Sequence, residues 1–201
     1  MTSRPQPAAD GTRLMVAIEL GGRSCLVVGG GRVAERKVAT LLEHGAELHL
    51  IAPEITDGLA ALVAAGRLRH SARAYQAGDA AHREFALVVT ATDQSEVNQQ
   101  VLDDAATENV WCNRVDAPGG GPVAFLAQRH QGRLSIGVST GGASPRVSRW
   151  TIDHLWSQVP TGLAELVEAL AHKRADGVSD ATTELVADGR ILEAIAGQEH
   201  P

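Results

Sequence analysis

Residues 24–34 read SCLVVGGGRVA and join a short apolar run to a glycine turn and then to a helical pattern. An apolar run of this length that stops at glycine is typical of a buried strand. From Val33 onward the apolar residues recur at helical spacing, and His44-Gly45 provides a left-handed helix end. The stretch therefore predicts a strand, a glycine turn and a helix.

The glycine turn matches the pattern G-x-G-x-x-A, with Gly29, Gly31 and Ala34 at the fixed positions. Gly29 permits the tight turn, Gly31 lets the backbone approach a pyrophosphate, and Ala34 lets the helix pack closely on the sheet. Free N–H groups at the helix start would face the phosphates. We therefore favour dinucleotide binding over a bare strand-to-helix turn.

The alternation of strand and helix continues along the chain. We predict further strands at 47–52, 67–72, 85–90 and 110–115, and helices at 56–65 and 95–107. Five strands with crossover helices predict an α/β fold, a Rossmann-like doubly wound parallel sheet whose ligand crevice lies beyond the carboxyl ends of the strands.

The pattern changes after Pro118. Segments 123–128 and 134–139 predict an added two-stranded element, and Ser144-Pro145 predicts the cap and first residue of a helix that runs to about Val159. An amphipathic helix is expected at 163–174, with weaker helical segments at 180–189 and 190–196.

The composition excludes several classes of function. The chain has 18 Lys and Arg against 24 Asp and Glu, a net charge of −6, which disfavours nucleic acid and anionic membrane surfaces as partners. No apolar stretch approaches the roughly 18 residues of a membrane span, so we predict a cytoplasmic protein. Cys25 and Cys112 lie in strand-like runs, which favours buried free thiols, and no histidine or cysteine spacing predicts a metal site.

Polar residues follow the second and fourth strands. Glu54 comes just after Pro53, close to where an acid for the cofactor ribose is expected, and no arginine beside it would hold a 2′-phosphate, which favours NAD over NADP. Thr92, Asp93 and Asn98 would line the same crevice. Helix capping by Asp93 or Ser95 is an equally strong interpretation.

Two further groups of residues are candidates for binding or catalysis. Asn113 and Asp116 end the fifth strand, where a carboxylate could act as a base, although the pattern alone slightly favours an Asp turn. Residues 139–146 form a second glycine-rich loop at a helix start, suited to anions. A well-capped helix with solvated arginines also explains that loop, except for the Gly141-Gly142 pair.

Four blocks of the chain together resemble the precorrin-2 dehydrogenases, which also form the amino-terminal half of sirohaem synthases: residues 27–37, 91–98, 112–118 and 139–145. The resemblance implies NAD-dependent oxidation of precorrin-2 to sirohydrochlorin by a homodimer. It also implies a NAD-binding Rossmann domain at 14–118, a dimerisation element at 119–159 and a helical carboxyl-terminal domain at 160–201. The polar start of the chain, rich in Pro and Ala and without periodicity, predicts a disordered lead-in at 1–13. Methylation is not expected, because no methyltransferase half is present.

The resemblance carries roles over to individual positions. Asp116 matches the catalytic aspartate, and Arg32, Val33, Pro53 and Glu54 match cofactor contacts. Thr140 falls where some members have a phosphorylated serine. Because precorrin-2 is a polycarboxylate, an anion-binding loop with nearby arginines suits it. We predict as substrate-binding residues Asn113, Thr140, Gly141, Gly142, Ser144, Arg146 and Arg149.

The sequence departs from the family pattern at Arg114, which replaces a usual aliphatic residue, and in the glycine-rich segment 119–122. Both departures bear on the substrate pocket more than on the cofactor site. Three alternatives stay open: a bifunctional dehydrogenase and ferrochelatase, a non-catalytic NAD-sensing module, and a family member that has lost activity.

Overall fold

The computed structural model describes residues 13–117 and 120–175. The chain divides into two compact units after Phe125. The predicted lead-in, apart from Arg13, and the predicted helical segments at 180–189 and 190–196 lie outside the described residues.

The first unit is a parallel α/β sheet. Its elements are β1 Ser24–Val28, α1 Arg32–Glu43, β2 Glu47–Ile51, α2 Asp57–Ala64, β3 Arg69–Ser71, β4 Leu87–Thr90, α3 Ser95–Thr107 and β5 Cys112–Arg114. The five strands run parallel in the order β3-β2-β1-β4-β5. This arrangement confirms the predicted Rossmann-like fold. Val28 pairs with Ile51 and with Thr90, so three strands end at one level.

Helices cover both faces of the sheet. Successive side chains of β1 point to opposite faces, so they pack in two separate clusters. Val27 packs in a cluster with Ala34 of α1 and Leu59 of α2. Val28 packs in a second cluster with Val101 of α3. A strand buried on both sides must be apolar at every position, which is why the run appears continuous rather than alternating in the sequence.

The two cysteines lie in these cores as free thiols. Burial raises the pKa of Cys25 to about 11 and that of Cys112 to about 12. Both thiols therefore stay protonated at neutral pH. The prediction of buried free thiols is confirmed.

The second unit contains an antiparallel hairpin and two helices: β6 Ala127–Gln131, β7 Leu134–Val138, α4 Pro145–Ser157 and α5 Leu163–Ala175. Ser144 Oγ accepts a hydrogen bond from the N–H of Val147, so the predicted cap of α4 is confirmed. No helix in the described part of the chain is long and apolar enough to cross a membrane.

The first strand of the hairpin begins later than predicted, at Ala127 instead of residue 123. Val123 and Phe125 pack against the core of the first unit. Phe125 also lies beneath the Lys37 ammonium, 3.8 Å from Nζ to the ring centroid. These contacts keep the segment with the parallel sheet, and the hairpin begins only after it.

Candidate functional site

A cleft of about 610 Å³ lies at the carboxyl ends of the strands in the first unit. The glycine turn after β1, the segment after β2 and the loop after β4 all contribute to it. Eight of the residues predicted to bind the cofactor line this cleft: Gly29, Gly31, Arg32, Val33, Pro53, Glu54, Thr92 and Asp93.

The three glycines of the turn have different surroundings. A Cβ at Gly29, whose φ is +117°, would lie 2.4 Å from the carbonyl oxygen of Ala91. A Cβ at Gly30 would lie 1.8 Å from the carbonyl oxygen of Glu54. At Gly31 no atom lies within 4 Å of that position. The protein's own backbone therefore requires the first two glycines, whereas Gly31 opens onto free space in the cleft.

The start of α1 suits a phosphate group. Gly31 is the N-cap residue, and no side chain caps the helix. The first N–H groups of an α-helix have no partner within the helix, and they carry its positive dipole end. The open space at Gly31 and these free donors fit the pyrophosphate of a dinucleotide.

Asn98 holds the loop after β4 from behind the cleft. It is fully buried. Its Oδ1 accepts hydrogen bonds from the Thr90 hydroxyl and from the N–H and hydroxyl of Thr92, and its Nδ2 donates to the Thr92 carbonyl at 3.0 Å. The N-cap of α3 is Gln94, and no side chain caps the helix, so neither Asp93 nor Ser95 has the capping role considered above.

Asp116 lies next to the amino-terminal end of α3. Its Oδ1 accepts a hydrogen bond from Arg114 Nε at 2.8 Å, and its Oδ2 accepts from Arg114 Nη2 at 3.0 Å and Ser95 Oγ at 3.2 Å. The guanidinium is the main cause, and the Asn98 side chain a smaller one, of a pKa lowered to about 2. Asp116 is therefore ionised at neutral pH.

After β5 the chain turns back close to its own backbone, which accounts for the glycines at 120 and 121. A Cβ at Gly121 would lie 2.6 Å from the carbonyl oxygen of Cys112, so the chain returns closely along β5. Asn113 is buried and donates from Nδ2 to the Val123 carbonyl at 2.9 Å. Its buried Oδ1 has no hydrogen-bond partner among the described residues.

The second glycine loop lies in the second unit and forms a tight turn. The N–H of Ala143 donates to the Thr140 carbonyl at 3.0 Å. Gly141 and Gly142 have φ values of +61° and +88°, which L side chains rarely adopt. The turn thus accounts for the glycine pair without a ligand, and substrate binding there stays a prediction.

The side chains around this loop are partly engaged. The Thr140 hydroxyl donates to the Ser144 carbonyl at 3.1 Å and lies 2.9 Å from the Ser148 hydroxyl. Arg146 and Arg149 are exposed in the first turns of α4. Two cations at an exposed helix start leave the loop able to bind an anion.

Sequence reasoning missed part of the cleft wall. Ala74, Tyr75 and Gln94 also line the cleft. Ala74 and Tyr75 follow the carboxyl end of β3, where the rule for parallel sheets places ligand contacts. No group of three or more potential metal ligands occurs within residues 13–117 and 120–175.

Comparison with known proteins assigns the chain to a family. Residues 16–127 match the family model described as "Putative NAD(P)-binding". A siroheme synthase of Gluconacetobacter diazotrophicus is 36% identical over 180 residues, which are 86% of this chain and 37% of the relative. A siroheme synthase of Pseudomonas putida is 38% identical over 156 residues, 78% of this chain and 33% of the relative. The chain thus spans about a third of the length of these relatives.

A solved structure matches along its whole length. The structure of SirC, a precorrin-2 dehydrogenase, superposes with a TM-score of 0.68 and 26% identity, covering 92% of this chain and 100% of SirC. The sequence blocks, the parallel sheet and these similarities agree. The chain therefore belongs to the family of the precorrin-2 dehydrogenases and siroheme synthases, through the NAD(P)-binding domain that the family model describes.

Proposed function

We propose that the protein oxidises precorrin-2 to sirohydrochlorin with NAD, in the biosynthesis of sirohaem or cobalamin. The similarity to SirC, a precorrin-2 dehydrogenase, along its whole length supports this reaction. The siroheme synthase relatives support the same group of tetrapyrrole substrates.

One observation carries the proposal. An uncapped helix start behind Gly31 lies in the same cleft as the loop of Thr92. Asn98, which holds that loop, lies on α3, and Ser95 at the start of the same helix donates from Oγ to Asp116 Oδ2 at 3.2 Å. The start of α3 therefore lies beside both the cleft of the phosphate-binding turn and an ionised carboxylate, an arrangement that suits an oxidation with a dinucleotide.

In the proposed reaction each group has a distinct task. Bound NAD would supply the hydride acceptor. As the hydride leaves precorrin-2, one proton must also leave, and Asp116 is the proposed acceptor. The N–H groups at the start of α1 would hold the pyrophosphate, with Arg32 and Val33 beside it.

Glu54 favours NAD over NADP in this proposal. Glu54 lies exposed in the cleft after β2, the side on which the ribose is expected. A carboxylate there accepts hydrogen bonds from ribose hydroxyls but repels a 2′-phosphate. Glu54→Gln should therefore reduce the preference for NAD over NADP, measured as the ratio of the Kd for NADP to the Kd for NAD.

The second unit supplies the proposed contacts to the substrate carboxylates. Thr140, Gly141, Gly142 and Ser144 form a loop at the start of α4, followed by exposed arginines. Asn113 of β5 is a further proposed contact, because its buried Oδ1 lacks a donor within the described parts of the chain. A homodimer, formed through residues 123–159, is part of the proposal.

The test is anaerobic absorbance of precorrin-2 with NAD, using the wild type and two variants. Asp116→Asn should lower kcat by about 10²-fold or more with an unchanged Kd for NAD. Glu108→Gln is the matched control, since it alters another carboxylate paired with an arginine, at the opposite end of the strands. Full activity of Asp116→Asn would refute the role of Asp116.

The same assay separates the alternatives. NAD binding without any oxidation by the wild type would point to a sensing module. Addition of ferrous or cobaltous ion after oxidation tests for chelation, because insertion of the metal changes the absorbance of the tetrapyrrole.

A further inference from the structure

We propose that Arg114 is a positioning residue for Asp116, fixing the orientation of its carboxylate for the proton transfer. This inference rests on the proposed function, in which Asp116 accepts the proton. The family resemblance assigns no role to Arg114, which stands where an aliphatic residue is usual.

The first argument is the geometry of the pair. Arg114 Nε and Nη2 donate to the two different oxygens of Asp116, at 2.8 and 3.0 Å. A planar guanidinium that binds both oxygens of a carboxylate fixes the plane of that carboxylate. A single hydrogen bond would leave it free to rotate.

The second argument is that Arg114 is itself anchored. Its Nη1 donates to Gln99 Oε1 at 2.6 Å, and its Nη2 donates to Ser95 Oγ at 2.8 Å. Both partners lie on α3, and the Arg114 side chain is only 11% exposed. All three guanidinium nitrogens of Arg114 make hydrogen bonds. Because two of its partners belong to α3, that helix fixes the position of Arg114, and Arg114 in turn fixes the Asp116 carboxylate.

The third argument is electrostatic. Arg114 is the largest cause of the lowered pKa of Asp116, whereas burial acts in the opposite direction. The carboxylate of Asp103 on α3 also raises the pKa of Arg114, so the guanidinium stays charged. Without the guanidinium, the carboxyl pKa should rise toward its ordinary value of about 4, because burial opposes the remaining hydrogen bonds.

A bound polyanionic substrate gives this pairing a further use. An isolated carboxylate in the site would repel the carboxylates of a tetrapyrrole. The guanidinium next to Asp116 offsets that charge. Loss of Arg114 should therefore raise the KM for the substrate as well as lower kcat.

The first measurement needs neither substrate nor cofactor. We expect the carboxyl signal of Asp116, followed by ¹³C NMR and assigned with Asp116→Asn, to titrate near pH 2 in the wild type. In Arg114→Leu its midpoint should rise toward about 4. Arg83→Leu, which removes an exposed arginine paired with Glu108, is the control and should leave it unchanged. An unmoved midpoint in Arg114→Leu would overturn the proposal.

The second measurement is turnover. At neutral pH, kcat of Arg114→Leu should fall about 10-fold or more, and Arg114→Lys should recover part of it. The higher basicity of the released carboxylate would by itself speed proton transfer, so a rise in kcat would contradict positioning. The variant should also acquire an acid limb in its pH profile toward about pH 4, absent from the wild type at that pH.

A double-mutant cycle separates positioning from independent substrate binding. In the Asp116→Asn background, Arg114→Leu should change kcat by less than about twofold. A full 10-fold loss there would show that Arg114 acts without Asp116 and would refute the inference. If the wild type does not oxidise precorrin-2, the proposed function fails. A titration midpoint of Asp116 that rises in Arg114→Leu would still support the positioning of Asp116 by Arg114.

Discussion

Gly30 and Gly31 are adjacent, but replacing each by alanine should have a different effect. Gly30→Ala should lower the stability of the fold, whereas Gly31→Ala should weaken NAD binding. At Gly30 the new Cβ would lie 1.8 Å from the Glu54 carbonyl oxygen, against a lower limit of 3.0 Å in real structures. One of two backbone segments must therefore move by more than an ångström. Overpacking of this kind costs about 1–3 kcal/mol, and each kcal/mol lowers Tm by about 2–4 °C in a chain of this size.

Gly31→Ala should leave the fold almost unchanged. No atom lies within 4 Å of the added Cβ, and φ at this residue is −84°, which any residue adopts. The expected loss is below about 1 kcal/mol, the cost of alanine at an N-cap. The added methyl group would instead lie where the pyrophosphate approaches, so the Kd for NAD should rise about 10-fold or more. Gly31→Asp adds charge repulsion and should abolish binding.

Urea unfolding and titration calorimetry with NAD measure the two effects separately. The expected result is a destabilised Gly30→Ala and a stable Gly31→Asp that does not bind NAD. Wild-type affinity in a folded Gly31→Asp would refute the cofactor site. Wild-type stability of Gly30→Ala would refute the close approach to Glu54.

Three further predictions concern other parts of the molecule. Asn98→Ala removes every hydrogen bond that the buried amide makes to Thr92. The free energy of unfolding in urea should therefore fall by about 2–4 kcal/mol, and a fall of less than about 1 kcal/mol would contradict this prediction. The bidentate Arg73 lowers the pKa of Asp79, so this pair stabilises the fold above the ordinary carboxyl pKa and loses its effect as pH falls through the lowered value. The stability difference between wild type and Asp79→Asn should accordingly be greatest near neutral pH and vanish in strong acid. Val147, Trp150 and Leu155 are exposed apolar residues of α4, and Trp150 is the most exposed of them. Trp150→Glu should therefore convert a dimer into a monomer, measured by light scattering. A monomeric wild type at micromolar concentration would exclude the proposed homodimer.

Much of the fold could be predicted from local sequence. The apolar run before Gly29, the helical spacing after it and the Ser144-Pro145 cap each act over a few residues. Strand periodicity and crossover rules then leave few topologies. The cleft also followed, because the carboxyl ends of parallel strands meet at one edge of the sheet. For the same reason, eight of the predicted cofactor residues line one cleft.

The tertiary structure alone decided which atoms meet. Gly30 contacts the carbonyl of Glu54, and Asn98 holds the Thr92 loop instead of facing the cleft. Asp116 is bound to Arg114, whose own anchors lie on α3. These contacts join residues that are distant in the sequence or point in directions set by the packing of neighbouring elements. A sequence pattern specifies the period of a strand or helix, but the partners of a side chain depend on the position of the whole sheet and its helices.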